Sequence, residues 1–148
     1  MVPVQEPFRT LDEVRNTILT MPFAHVMQIE IETVDDGVGV ASLPLSEAVT
    51  FDGVAFAALA VGTVADIAAG AATLAMTPTD QMAYTTAIDS KVTSSTQGTR
   101  LSARAQLREQ CGPRLVFDAI VHIHRRDGSS QPCGEASITM HITAPVSI

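Results

Sequence analysis

The run Val54–Met76, VAFAALAVGTVADIAAGAATLAM, decides how the rest of the chain is read. It is rich in alanine, contains no proline and carries one ionisable residue, Asp66. The pattern predicts one long helix over 54–76, apolar nearly all round, which must be covered on most sides. At about 1.5 Å per residue it is long enough to cross a bilayer. Alanine is barely hydrophobic, however, and a carboxylate near the centre adds about 3 kcal/mol to the cost of insertion. The run therefore reads as the core helix of a globular domain, with no membrane span. A charge in such surroundings is expensive unless something compensates it, so Asp66 is the first candidate for chemistry.

The flanks read as strands. Upstream, Thr10 and Glu13 have the spacing of a capping box, and Leu11, Val14, Ile18 and Leu19 recur at helical spacing, predicting a short N-terminal helix over about 10–20. From Ala24 the pattern alternates through Val34, as a half-buried strand does. Asp36-Gly37 offers the positive φ of a tight hairpin, and Val38–Leu45 is the return strand. A loop, Ser46–Gly53, then delivers the chain to the helix, with Asp52 placed to cap it. Downstream, Thr77-Pro78 ends the helix. Four β-type segments follow at 82–95, 100–109, 114–126 and 135–143, separated by short turn-rich links that suggest a meander. The expected class is α+β: a single domain over 1–148, with an antiparallel sheet of about six strands wrapped around the central helix in the hotdog arrangement. Six strands leave part of that helix bare, so a homodimer with the two sheets joined edge to edge is expected, and a tetramer is compatible with it.

The chain has 148 residues, 46% of them hydrophobic, enough for one domain with a proper core. Acidic residues outnumber basic ones 16 to 9, a net charge of -7, which disfavours nucleic acid and anionic membrane as partners. Cys111 and Cys133 have no Cys-x-x-Cys or Cys/His spacing around them and read as free thiols. The first residues, MVPVQEPFRT, show no basic segment followed by an apolar one, and the expected location is the cytoplasm.

Over about Met21–Thr143 the chain resembles the hotdog-fold acyl-CoA thioesterases, specifically the phenylacetate-degradation (PaaI-like) group and its relatives. The likeness rests on Pro22-Phe23-Ala24, Leu43-Pro44-Leu45, Thr50-Phe51-Asp52-Gly53, Ala65-Asp66-Ile67-Ala68-Ala69-Gly70 and Gly98-Thr99-Arg100-Leu101-Ser102-Ala103. The resemblance implies hydrolysis of an acyl thioester on coenzyme A or a carrier protein, with coenzyme A as part of the substrate and no cofactor. It also implies a catalytic Asp66, as general base or nucleophile, acting across a dimer on a carbonyl held by the loop and helix start of the other subunit. The family places an Asn in that loop and His-Gly-Gly at the helix start. Here the loop offers Thr50, Asp52 and Gly53, and the helix begins Phe56-Ala57-Ala58. Backbone N–H groups at a helix N-terminus still present partial positive charge to an oxyanion.

Each candidate also has an ordinary structural reading. Asp66 is surrounded by Gly62, Thr63, Ala69 and Gly70 at helical spacing, small residues that leave room for a ligand or a second chain. Thr63 can hold a substrate oxygen or bond its own helix carbonyl, the commoner use of a helical threonine. His122 and His124 share one strand face, and His141 lies on the last strand, but no carboxylate joins them, so a solvated sheet face is expected and no metal site. Arg125 and Arg126, at a hairpin tip, either reach a coenzyme A phosphate or are simply solvated. Two other functions fit the fold: a non-catalytic protein binding an acyl or other hydrophobic ligand, favoured by the missing His-Gly-Gly, and a dehydratase or hydratase. The latter needs a histidine near the helix start, where this chain has none.

Overall fold

The computed structural model describes residues 7–144. Its elements are α1 (Leu11–Leu19), α2 (Pro22–Met27), β1 (Glu30–Asp35), β2 (Val38–Pro44), a 3-10 turn (Glu47–Val49), α3 (Ala58–Ala75), β3 (Met82–Val92), β4 (Arg100–Cys111), β5 (Arg114–His124) and β6 (Ser130–Thr143). The six strands form one antiparallel sheet in the order β1-β2-β4-β5-β6-β3, and α3 lies in its concavity. This is the expected hotdog arrangement. Helix α3 is apolar enough for a bilayer by length and composition, but 67% of it is buried inside the fold.

The alanines of α3 are explained by the approach of the sheet. At Gly39 in β2 an added Cβ would stand 2.1 Å from the Ala68 carbonyl oxygen, so strand and helix backbones nearly touch. Larger side chains on α3 would force them apart. The sheet supplies the bulk instead, through Leu43, Leu101, Phe117, Ile123 and Ile138, each completely buried. Burying such a side chain contributes about 1.5–3 kcal/mol.

The capping box of α1 forms as expected: Thr10 Oγ1 accepts the Glu13 N–H at 3.2 Å and Glu13 Oε1 accepts the Thr10 N–H at 3.3 Å. The β1–β2 hairpin turns on Asp36 (φ 43°) and Gly37 (φ 76°), both in the left-handed region such turns require.

Three expectations need correction. The strand expected from Ala24 begins only at Glu30, because Pro22 sits in the first turn of α2, where its missing N–H costs nothing, and Gln28 ends that helix in the left-handed conformation. Alternation in sequence was there, but a six-residue helix is too short to show its own period. The core helix starts at Ala58 and not at Val54, since residues 54–57 run extended beside the β3–β4 connection, where Phe56 N–H donates to the Thr96 carbonyl at 3.0 Å. Finally, the last four strands are not a simple meander. β4, β5 and β6 follow one another, but β3 pairs with β6 because β2 already occupies the other side of β4.

The two sheet edges differ. β1 is short, bulged between Ile31 and Thr33, and covered by Arg15 of α1, whose Nε donates to the Ile31 carbonyl at 2.8 Å and whose Nη2 donates to that of Glu32 at 3.3 Å. β3 is 11 residues long and pairs on one side only, with Met82, Tyr84, Ile88 and Val92 half-exposed. Side chains and bulges of the first kind blunt an edge, and an edge of the second kind invites pairing.

Candidate active site

Five residues of α3, Leu59, Thr63, Asp66, Gly70 and Leu74, follow one another at three- and four-residue intervals and make up the stripe that the sheet leaves open. Asp66 lies midway along it, half-buried. Thr85 Oγ1, on β3, donates a hydrogen bond of 2.6 Å to Asp66 Oδ1 and also lies 3.2 Å from Met140 Sδ. Oδ2 has no donor among the described residues. Burial raises the Asp66 pKa above the usual carboxylate value, and the Thr85 hydrogen bond opposes the rise. One oxygen is thus held while the other is free, on a carboxylate made more basic than usual.

Beside Asp66 is a groove of about 220 Å3. Its walls are apolar: Met21 and Phe23 from the α1–α2 elbow, Ile67 and Leu74 from α3, and Met140 from β6. Gly70 forms part of the floor, and a Cβ added there would meet nothing within 4 Å. Gly62, in contrast, packs tightly, with an added Cβ 3.0 Å from Ser90 Oγ and 3.7 Å from Ile88. Ala69 is fully buried, and Thr63 Oγ1 donates to the Leu59 carbonyl at 2.8 Å. Of the four small residues flanking Asp66, Gly70 is therefore the one that leaves space. A larger hollow of about 330 Å3 lies on the outer sheet face among Asp89, Lys91, Asp118 and Glu135, remote from Asp66, with Lys91 and Glu135 paired at 3.0 Å.

The loop before α3 is self-contained. Asp52 Oδ1 accepts the Val54 and Ala55 N–H groups, both at 2.9 Å, and these bonds lower its pKa. It therefore closes its own turn, and the helix is preceded by Ala57, with no side-chain cap. Thr50 Oγ1 donates to the Ala55 carbonyl at 2.6 Å and accepts from Gly53 N–H at 3.0 Å, and Gly53 takes φ 82°. Phe56 and Ala57 are buried, and their N–H groups donate to the carbonyls of Thr96 and Val49. Within residues 54–60 the N–H groups of Ala58 and Leu59 are the two without an acceptor among the described residues, as expected for the first two positions of a helix. Both residues are exposed.

Arg125 and Arg126 form the β5–β6 turn, at the sheet end that also carries this loop: Thr99 N–H donates to the His124 carbonyl at 2.9 Å, and Ala55 bridges to Gln97. His124 Nε2 is 2.7 Å from Ser102 Oγ, and its pKa is lowered by burial and by Arg100 and His122, against the opposing charge of Glu32. His141 lies opposite Arg114, at the far end of β5, and stacks near Tyr84 at 5.8 Å, so the three histidines do not converge. Among the described residues no group of three His, Cys, Asp or Glu side chains is placed to hold a metal. Cys111 is exposed and Cys133 buried, both as thiols. Thr85 was not singled out in sequence, because only the fold brings a hydroxyl 19 residues away onto the carboxylate.

The fold is the hotdog fold, as comparison with solved structures shows. It is similar to a thioesterase family protein from Silicibacter pomeroyi, with a TM-score of 0.82 and 22% identity over 89% of this chain and 96% of that one. It is similar also to a thioesterase from Haemophilus influenzae, with a TM-score of 0.81 and 11% identity over 97% of each chain. A mutant thioesterase from Pseudomonas aeruginosa aligns with a TM-score of 0.79 and 17% identity, over 96% of this chain and 99% of that one. No protein-family model and no curated protein sequence matches the chain.

Proposed function

We propose that the protein is a thioesterase that hydrolyses an acyl thioester of coenzyme A or of a carrier protein, with Asp66 as the base or nucleophile. The observation that supports this most is the Asp66–Thr85 pair beside an apolar groove: a carboxylate with one oxygen held at 2.6 Å, the other free, and basicity raised by burial. As a base, Asp66 takes a proton from water as the water oxygen bonds to the thioester carbon. The carbonyl oxygen becomes an oxyanion, and as the tetrahedral intermediate collapses the carbon–sulfur bond breaks and the thiolate leaves, taking up the proton. General bases of this kind contribute about 10²–10⁴-fold.

The oxyanion needs donors, and Ala58 and Leu59 N–H are the free ones. Ala58 lies eight residues before Asp66, about 12 Å along the helix, too far for both to act on one carbonyl. Donors and carboxylate must therefore come from two chains. A second copy is the natural occupant of the open β3 edge: Thr85 on that edge bonds Asp66 on the bare helix stripe, and Tyr84 and Thr85 line one groove with Asp66, Gly70 and Leu74, so the edge and the stripe adjoin. In such a dimer Arg125 and Arg126, at the donor end, would meet the thioester's phosphate-bearing arm.

A second reading is a non-catalytic acyl-binding protein, favoured by the bonds that occupy all four N–H groups of the 54–57 segment. Thiol release over short, long and aromatic acyl-CoAs decides between them. Turnover that falls at least about a hundredfold in Asp66→Asn supports the hydrolase. Saturable binding without turnover in the unaltered protein selects the binder, and turnover that survives Asp66→Asn removes Asp66 from the mechanism.

A further inference from the structure

The groove beside Asp66 has a shape and chemistry that go beyond the reaction type. It runs over α3 from Asp66 past Gly70 to Leu74, eight residues or about 12 Å. Apart from Asp66, Thr85 and Tyr84, its walls are hydrocarbon and thioether, chiefly Met21, Phe23, Ile67, Leu74 and Met140. The α1–α2 elbow flanks the groove through Met21 and Phe23, and α1 is anchored by the completely buried Val14 and nearly buried Ile18. An apolar cavity of about 150 Å3 accepts a benzene ring and stays dry when empty. At about 220 Å3 this groove takes one ring and a short arm, or a straight chain of similar bulk.

Resting on the thioesterase reading above, we propose that the acyl group is uncharged and apolar, of about six to eight carbons, and lies along Gly70 with its end against Phe23 and Leu74. Gly70 is then the residue that sets its length. A glycine in the middle of a helix lowers helix stability relative to alanine, and nothing in the packing of its own chain requires it, because an added Cβ meets no atom of that chain within 4 Å. The backbone there is ordinary helix, so no strain explains it either. What the missing side chain provides is room one turn beyond the carboxylate. Dicarboxylic acyl groups such as malonyl are excluded twice, by the apolar walls and by the negative charge of Asp66.

Gly70→Leu tests this without a folding penalty in its own chain, since leucine is a good helix former and the space there is open, and gel filtration checks that the variant keeps the parent's oligomeric state. The expected result is an optimum at hexanoyl- to octanoyl-CoA or phenylacetyl-CoA in the unaltered protein, with poor turnover of malonyl- and palmitoyl-CoA. In Gly70→Leu the ratio of octanoyl to acetyl kcat/KM falls at least about tenfold, the discrimination one or two methylenes produce in an apolar pocket, with no fall in Tm. Phe23→Ala moves the optimum to longer chains. An octanoyl-to-acetyl ratio that Gly70→Leu leaves as it was, in a protein whose turnover depends on Asp66, overturns the groove assignment while the hydrolase stands. If no thioester turns over at all, the hydrolase reading fails, and calorimetric titration with octanoyl-CoA judges the groove. Binding abolished by Gly70→Leu then supports it, and binding unaffected, or no binding, overturns it.

Discussion

Around Asp66 a single chain supplies the carboxylate, the hydroxyl that orients it and the apolar groove, all partly buried. At the other end of the same helix, Ala58 and Leu59 present two N–H groups to solvent, with the exposed Phe51 and Val54 close by in sequence and the remaining N–H groups of 54–57 already bonded. The first region is complete and pre-arranged. The second has donors and an apolar rim but nothing of its own chain to act on. About 12 Å of that helix, from Ala58 to Asp66, keeps them apart. On the proposed thioesterase reading the difference calls for a second copy, because one chain then carries both halves of a site in places where they cannot meet.

The sharpest way to break that contrast is to disable each end separately and mix the products. Ala58→Pro removes one donor at the first helical position, where proline is tolerated, and Ala57 before it already has the extended conformation (φ -62°, ψ 148°) that a following proline demands. Loss of one such donor lowers kcat by about 10²–10³-fold. Asp66→Asn disables the other end. Mixed as equal amounts of refolded chains, the two variants form heterodimers with one intact site in two, and about a quarter of the original rate returns. If the ends acted within one chain, the mixture would stay as inactive as its parts.

A smaller effect sharpens the acid end alone. The Thr85 hydrogen bond lowers the Asp66 pKa against the upward pull of burial. Without it the pKa rises further, and because the base works only when ionised, the acid limb of kcat/KM moves to higher pH. Thr85→Val shows this shift and Thr85→Ser restores the original profile, whereas a purely structural role for Thr85 would lower activity equally at all pH values. No movement of the limb in Thr85→Val would separate the hydroxyl from the proton transfer.

Sequence revealed the acid end better than the donor end, for a physical reason. A carboxylate in an alanine run is conspicuous one residue at a time, and the hairpin at Asp36-Gly37 and the capping box at Thr10 and Glu13 are local patterns that chain geometry forces. Thr85 was invisible because its bond to Asp66 depends on β3 crossing to the far edge of the sheet beside β6, a choice made by competition among strands and not by any pattern in β3 itself. The same crossing defeated the expected meander. At the donor end the periodicity runs unbroken from Val54, yet the helix begins at Ala58, because the N–H groups of Ala55 and Phe56 donate to the Asp52 carboxylate and the Thr96 carbonyl and so hold the segment before it out of the helix. Which N–H groups are spent and which remain depends on those tertiary partners.

The smallest expected effect sets the two aspartates against each other in stability. Asp52 has its pKa lowered, first by the N–H of Ala55 and then by that of Val54, so its contribution is present above the ordinary value of 3.8 and is lost as pH falls through the lowered folded value. Asp66 has its pKa raised by burial, so its contribution is present below 3.8 and is lost as pH rises through the raised folded value. At neutral pH the first charge stabilises the fold and the second opposes it. Thermal unfolding at pH 7 should therefore show Asp52→Ala with a lower Tm and Asp66→Asn, which keeps an oxygen to accept from Thr85, with a higher one. As the pH is lowered toward 3 both differences should shrink. The loop residue would then be retained for the fold and the helix residue despite it, as expected where a charged group is kept for reaction. An Asp66→Asn protein less stable than its parent at pH 7 would show instead that the carboxylate serves the packing around Thr85, and would remove the energetic distinction between the two ends of the site.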